Sequence, residues 1–287
     1  MARADWRRPS SFKGLEEGEH RIRLFISYDG TSFSGWQRQD GERTVQEEIE
    51  RTLGGILGEA ITVFGSGRTD SGVHALRQAA HFDTFSNIAP DKFRIILNTH
   101  LPKTIRILSS DEVGPDFHAR FSTESREYWY LIKKMEDMLP FDEGRITPVR
   151  RFYPLERMNA LSSILEGTHD FTTFSSARDK SLSKMRDIYV SRWDESEDIY
   201  GYPVLRYRVA GNAFLYHQVR SMVGTMLSFL SKDMDEHSFS EILESRDRSL
   251  VHKTAPSDGL YLADVSYDRT KYEWFEREHG SAAGTER

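Results

Sequence analysis

Asp70 stands beside Arg68 in the segment Gly65-Ser66-Gly67-Arg68-Thr69-Asp70-Ser71-Gly72-Val73-His74-Ala75, which is built mostly of small residues. A carboxylate held next to a reacting carbon can serve as nucleophile or as base. Three glycines within eight positions let the backbone pass close to another molecule and take angles that other residues avoid. The same residues also suit a plainer role, because an aspartate caps turns through its own backbone and Thr69 would assist.

The flanking elements decide where this acid sits. An apolar, β-branched run from Ile61 to Phe64 precedes it and a strand over Gln78–Phe82 follows, so Asp70 is expected on a tight loop between strands. Ile22, Leu24, Ile26 and Tyr28 alternate as a half-buried strand. Thr44-Val45-Gln46-Glu47 has the form of a capping box, helical spacing runs through Ile49, Leu53, Ile56 and Leu57, and Gly58 ends the helix. A second helix starts near Pro90 and stops at Leu101-Pro102, followed by a strand over Ile105–Leu108.

The second half repeats the scheme loosely. Tyr128, Tyr130 and Ile132 alternate as a strand, Leu155 to Leu165 form a helical stripe closed by Gly167, and Leu205, Tyr207 and Val209 alternate again. The turn Gly211-Asn212 leads into a long helix carrying Leu215, Val219, Met222, Val223, Met226 and Leu230. On that helix Asn212, Tyr216 and Arg220 are spaced by four and line one face. Ser238-Phe239-Ser240-Glu241 reads as a further capping box. Strands followed by covering helices, twice over, give an α+β chain of two similar halves. The expected organisation is an N-terminal tail over residues 1–20, halves over 21–115 and 116–270, and a C-terminal tail over 271–287.

Bulk properties narrow the chemistry. The chain has 287 residues and no cysteine, which excludes disulfides, thiolate metal sites and a cysteine nucleophile. Met1 to His20 is polar and no apolar run approaches the roughly 20 residues that span a bilayer, so no membrane association is expected and the cytoplasm is the expected location. The net charge of −6 lowers nonspecific nucleic-acid affinity without excluding a local basic cleft, for which Arg38 and Arg77 are candidates. The histidines make no metal-ligand pattern and no phosphate-binding glycine loop is present.

The Asp70 segment resembles the signature Gly-Arg-Thr-Asp-x-Gly-Val-His-Ala of the tRNA pseudouridine synthase A family. Further blocks resemble that family in the same order: Tyr28-Asp29-Gly30-Thr31, Phe33-Ser34-Gly35-Trp36-Gln37, Thr44-Val45-Gln46, Phe117-His118-Ala119-Arg120-Phe121 and Arg126-Glu127-Tyr128-Trp129-Tyr130. They continue with His169 to Phe174, Gly211 to Arg220, Met222-Val223-Gly224 and Thr254 to Leu262, so the resemblance runs from about Arg21 to about Tyr267. Ser71 stands where Ala is usual and Arg77 where a small Gly is usual.

The resemblance implies two ferredoxin-like halves forming a continuous antiparallel sheet, with helices on one face and a central active-site cleft. It implies isomerisation of uridine to pseudouridine at positions 38, 39 and 40 of the tRNA anticodon stem-loop, by a homodimer. The reaction cleaves the C1′–N1 bond, turns the uracil and rejoins it through C5, and it is expected to need no cofactor. Asp70 would then attack C1′ or remove the C2′ proton, and the residues leave that choice open. The resemblance sets Tyr128 against the target uracil, whereas its strand pattern equally fits a core residue. It pairs Arg220 with the acid, where a surface or interhelical ion pair is the alternative, and it gives Arg68 a part in extruding the nucleotide. Leu260 packs under the uracil or the catalytic loop, or simply in the core. The rival readings are a catalytically silent RNA-binding module of this fold and a metal-dependent hydrolase using Asp70 and the histidines.

Overall fold

Thr44 and Gly58 bracket the first helix as their chemistry demands. The Thr44 hydroxyl accepts the Glu47 N–H, and Gly58 takes the left-handed φ of +72° that closes the last turn. A computed structural model describes residues 14–251 and 253–279 of the chain. Of the two expected tails, residues 1–13 and 280–287 are not described; His20 already opens the first strand, and Glu273–His279 form a helix.

The chain is mixed α+β and divides into two units. The first runs through Glu124 and takes up Leu262–Tyr267 as well. Its elements are β1 (His20–Tyr28), α1 (Val45–Leu57), β2 (Phe64–Gly65), β3 (His74–Thr84), α2 (Lys92–His100) and β4 (Ile105–Val113). Strand β1 lies between β3 and β4, antiparallel to both, and β2 pairs with β3. Alternation in β1 turns Ile22, Leu24 and Ile26 inward, and Val45, Ile49 and Leu53 of α1 are likewise buried. Burial of such side chains contributes about 1.5–3 kcal/mol each.

The second unit holds Ser125–Tyr261 and resumes at Asp268. Its elements are β5 (Ser125–Lys134), β6 (Thr147–Val149), α3 (Leu155–Ser163), β7 (Gly167–Asp170), β8 (Met185–Glu197), β9 (Pro203–Gly211), α4 (Gln218–Ser231), α5 (Glu236–Ser245), β10 (Leu260–Ser266) and α6 (Glu273–His279), with most of β10 counted in the first unit. The strand order is β5-β9-β8-β7, antiparallel throughout, with β6 parallel to β5. Tyr130, Ile132, Tyr207 and Val209 are buried, as alternation requires.

Three expectations are corrected. The long helix begins at Gln218 and not at the Gly211-Asn212 turn, so Asn212 and Tyr216 lie ahead of it and share no helix face with Arg220. His217 adopts φ +63°, which breaks any helical run from Leu215. The cap of α5 is Asp235, whose carboxylate accepts the Ser238 N–H; Ser238 lies inside the helix. Leu165 lies beyond α3, and Gly167 opens β7.

Candidate active site

Asp70 follows β2 and precedes β3, on a loop with no regular structure. The loop is anchored from residues 28–46. The Thr69 carbonyl accepts the Trp36 N–H at 3.1 Å and the Thr69 hydroxyl shares a buried 2.8 Å hydrogen bond with the Tyr28 phenol. The Gly72 N–H donates to the Phe33 carbonyl at 3.3 Å, and the Gly30 N–H donates to His74 Nδ1 at 3.0 Å. Within the loop the Val73 N–H returns to the Asp70 carbonyl at 3.1 Å. Gly35 allows this approach: its φ is +91°, and a Cβ there would stand 2.5 Å from the Thr69 carbonyl oxygen and 3.1 Å from the Asp70 carbonyl carbon. The blocks at Tyr28–Thr31 and Phe33–Gln37 therefore form the wall that shapes the Asp70 loop.

Arg68 is exposed, two residues before the acid. Its Nε–H donates to Gln37 Oε1 at 3.2 Å, and the Gln37 Nε2 donates to Gln46 Oε1 at 2.8 Å. Gln46 is buried at the start of α1 and donates in turn to Glu50 Oε1 at 2.9 Å. Behind the loop, Gln78 Nε2 donates to the Gly67 carbonyl at 2.8 Å, and the Ser66 and Thr123 hydroxyls meet at 3.0 Å.

The other predicted residues belong to the second unit. Tyr128, on β5, is buried, and its ring meets Phe214 edge-on at 5.1 Å. Arg220 lies in the first turn of α4, where its Nε–H donates to the Ala255 carbonyl at 2.8 Å. Gly224, one turn on, presents no side chain to this segment; a Cβ there would overlap the Lys253 carbonyl oxygen at 1.9 Å. Leu260 is buried at the start of β10, its N–H donating to the Ser257 carbonyl at 2.9 Å. Tyr130 sits near this segment: its hydroxyl contacts Thr147 Oγ1 at 2.7 Å and donates to the Pro256 carbonyl at 3.0 Å. Burial holds the Tyr130 phenol well above its usual range, with the Thr147 hydrogen bond and the Arg220 charge opposing.

Comparison with known proteins identifies the family. The profile described as tRNA pseudouridine synthase matches residues 24–122 and 161–268. The chain belongs to the tRNA pseudouridine synthase family. Among curated relatives, the tRNA pseudouridine synthase A of Geobacillus sp. (strain WCH70) is 42% identical over 249 residues, covering 86% of this chain and 98% of the relative. That of Bacillus pumilus (strain SAFR-032) is 40% identical over 250 residues, covering 86% and 99%. That of Streptococcus pneumoniae (strain P1031) is 42% identical over 260 residues, covering 86% and 99%.

Within this pseudouridine synthase, several residues singled out in the sequence make contacts within the protein. Arg77 is bound to the Asp264 carboxylate at 2.6 Å and stacks over Phe25 at 3.7 Å, so its charge is already answered. Arg38 is paired with Glu50 at 3.1 Å while remaining largely exposed. In the Phe117–Phe121 block, the His118 and His81 rings meet edge-on at 4.7 Å. The Ala119 N–H donates to His81 Nδ1, and the Arg120 N–H donates to His118 Nδ1. Those bonds require unprotonated Nδ1 atoms. Burial, aided by the His118 and Arg21 charges, pulls His81 down to about 2. Burial and the Arg21 charge pull His118 down to about 4. Arg21 itself is clamped by Asp83 at 2.7 Å and by the carbonyls of Pro115 and Phe117.

Among the described residues, no group of three or more His, Asp or Glu side chains is placed to hold a metal ion, and no helix is long and apolar enough to cross a membrane. Sequence reasoning missed Gln37, Gln46 and Glu50 as supports of Arg68. The Thr44-Val45-Gln46 block carries the signal, since Thr44 caps α1 and Gln46 meets Gln37.

Proposed function

We infer that this chain converts uridine to pseudouridine in tRNA, with Asp70 as the reacting carboxylate. The observation that carries the reading is the family match across both units, together with an intact Asp70 on a rigidly anchored loop. The carboxylate would stand beside C1′ and C2′ of the target nucleotide. Cleavage of C1′–N1 releases the uracil, which turns so that C5 bonds to C1′; the C5 proton then leaves and N1 takes up a proton. Tyr128 supplies an aromatic neighbour for the base, an interaction worth about 1–3 kcal/mol. Leu260 packs near the base or the loop, and Arg68 helps hold the extruded nucleotide.

The same reading extends to finer points. Likeness to the family implies that each unit is a ferredoxin-like half and that Arg220 is the partner of the reacting carboxylate. The substrate positions are 38, 39 and 40 of the anticodon stem-loop, the enzyme works as a homodimer in the cytoplasm, and no cofactor is used. Family likeness supports each of these. The test is purified protein, an unmodified tRNA transcript and no added metal, with modified sites mapped on the product. Pseudouridine at positions 38–40 is expected. A transcript left unmodified overturns the reading.

A further inference from the structure

Three amides and carboxylates behind Arg68 form a chain with a fixed direction. Gln46 is 8% exposed, and its side-chain amide is oriented by the backbone on both sides. Its Oε1 accepts the Arg38 N–H at 2.9 Å, while its Nε2 donates to the Val63 carbonyl at 3.1 Å and to Glu50 Oε1 at 2.9 Å. Glu50 Oε1 also accepts the Val63 N–H at 2.9 Å. Flipping the Gln46 amide would set NH2 against N–H and oxygen against oxygen, leaving buried groups unpaired.

That orientation dictates the next link. Gln46 presents an oxygen, so Gln37 must offer its NH2 to it, and does so at 2.8 Å. The Gln37 oxygen is thereby turned outward, where it accepts the Arg68 Nε–H at 3.2 Å. We propose that Gln46 and Gln37 are positioning residues that hold the Arg68 guanidinium for substrate, with the polarity of the relay set by the backbone at Arg38 and Val63. With Nε held by Gln37, the terminal NH2 groups of Arg68 remain for the tRNA backbone. A mobile side chain would lose its rotamer freedom on binding, whereas a held one has less to lose. This inference rests on the proposed function, in which Arg68 contacts the nucleotide.

The test is a set of double-mutant cycles read as kcat/KM for pseudouridine formation on a tRNA transcript. Gln37→Met and Gln46→Met are made with Arg68 present and in an Arg68→Ala background. Gln46→Met removes four hydrogen bonds at the start of α1 and threatens folding; Gln37→Met cuts the links nearer Arg68 and carries the test alone. With Arg68 present, each substitution should lower kcat/KM by about 3–10-fold, the range of one hydrogen bond. In the Arg68→Ala background the loss should be under about 2-fold. Equal losses in both backgrounds, no loss with Arg68 present, or an Arg68→Ala enzyme as good as wild type would overturn the relay. Inactive wild-type protein would instead defeat the proposed function on which the relay rests.

Discussion

Arg220 and Ala255 bind each other twice: the Arg220 Nε–H donates to the Ala255 carbonyl at 2.8 Å, and the Ala255 N–H donates to the Arg220 carbonyl at 2.9 Å. The second bond is backbone to backbone and does not depend on the Arg220 side chain. The first needs a guanidinium. Arg220→Lys should therefore leave the melting temperature within a few degrees of wild type. The ammonium cannot hold Ala255 and at the same time offer a two-pronged face to a carboxylate, so kcat should fall at least about 10-fold. Circular dichroism melting and single-turnover rates check the two halves of this expectation. An unchanged rate would remove Arg220 from the site.

Asp70→Asn keeps the shape of the side chain and removes its basicity and nucleophilicity. Because the loop is held by Thr69, Gly72 and Val73 through backbone and hydroxyl groups, the fold of the loop should persist. Turnover should vanish while tRNA affinity stays within about threefold. Filter binding and product mapping measure these. A variant within about tenfold of wild-type rate, equivalent to roughly 1.4 kcal/mol of barrier, would end the assignment of Asp70.

Gly35→Ala should reach the acid from 35 residues away in sequence. The new methyl would lie 2.5 Å from the Thr69 carbonyl oxygen at a φ of +91°, so the loop must shift. Gly41→Ala is the control, since φ there is +77° but nothing lies within 4 Å. The control should lose only the roughly 1 kcal/mol of left-handed strain and keep its activity. Gly35→Ala should lose more stability than the control and also most of its kcat. Equal activity in the two variants would show that the loop tolerates displacement.

Acid should destabilise the protein through His81 and His118. Both have folded pKa values below the ordinary 6.5, His118 at about 4 and His81 at about 2. The unfolded chain therefore binds protons first. The stability these neutral rings contribute is present above about pH 6.5 and is lost progressively as pH falls from there, down to about 4 for His118 and about 2 for His81. Urea denaturation at pH 7, 6, 5 and 4 should show this slope, and His118→Asn should flatten it. A wild-type slope left unchanged both by His118→Asn and by His81→Asn would assign the acid sensitivity to carboxylates.

What was legible in the sequence followed local rules. Helix α1 could be bounded because Thr44, its apolar stripe and Gly58 are contiguous signals. The Asp70 loop could be found because its glycines and acid lie within one short run. Strand β8 was not read: its alternation is broken by an irregularity between Ile188 and Val190, and its acidic end resembles a solvated surface. The start of α4 was misplaced because the apolar pattern continues into Leu215, whereas the left-handed turn at His217 leaves no periodic mark. The supports of Asp70 and Arg68 were hidden for a different reason. Tyr28 reaches Thr69 across 41 residues and Gln37 meets Arg68 across 31, and no period connects such partners.

The anchoring of the Asp70 loop also limits how this enzyme can be recombined with its relatives. The anchoring bonds from Tyr28, Gly30, Phe33, Trp36 and Gln78 to the loop lie within one stretch of sequence. That stretch is a single inheritable cassette. A chimera whose crossover falls between Trp36 and Thr69 would join a wall from one parent to a loop from another. Relatives 40–42% identical differ at more than half of their positions, so such hybrids should fold yet misplace the acid. Crossovers beyond Ala80 leave the cassette whole.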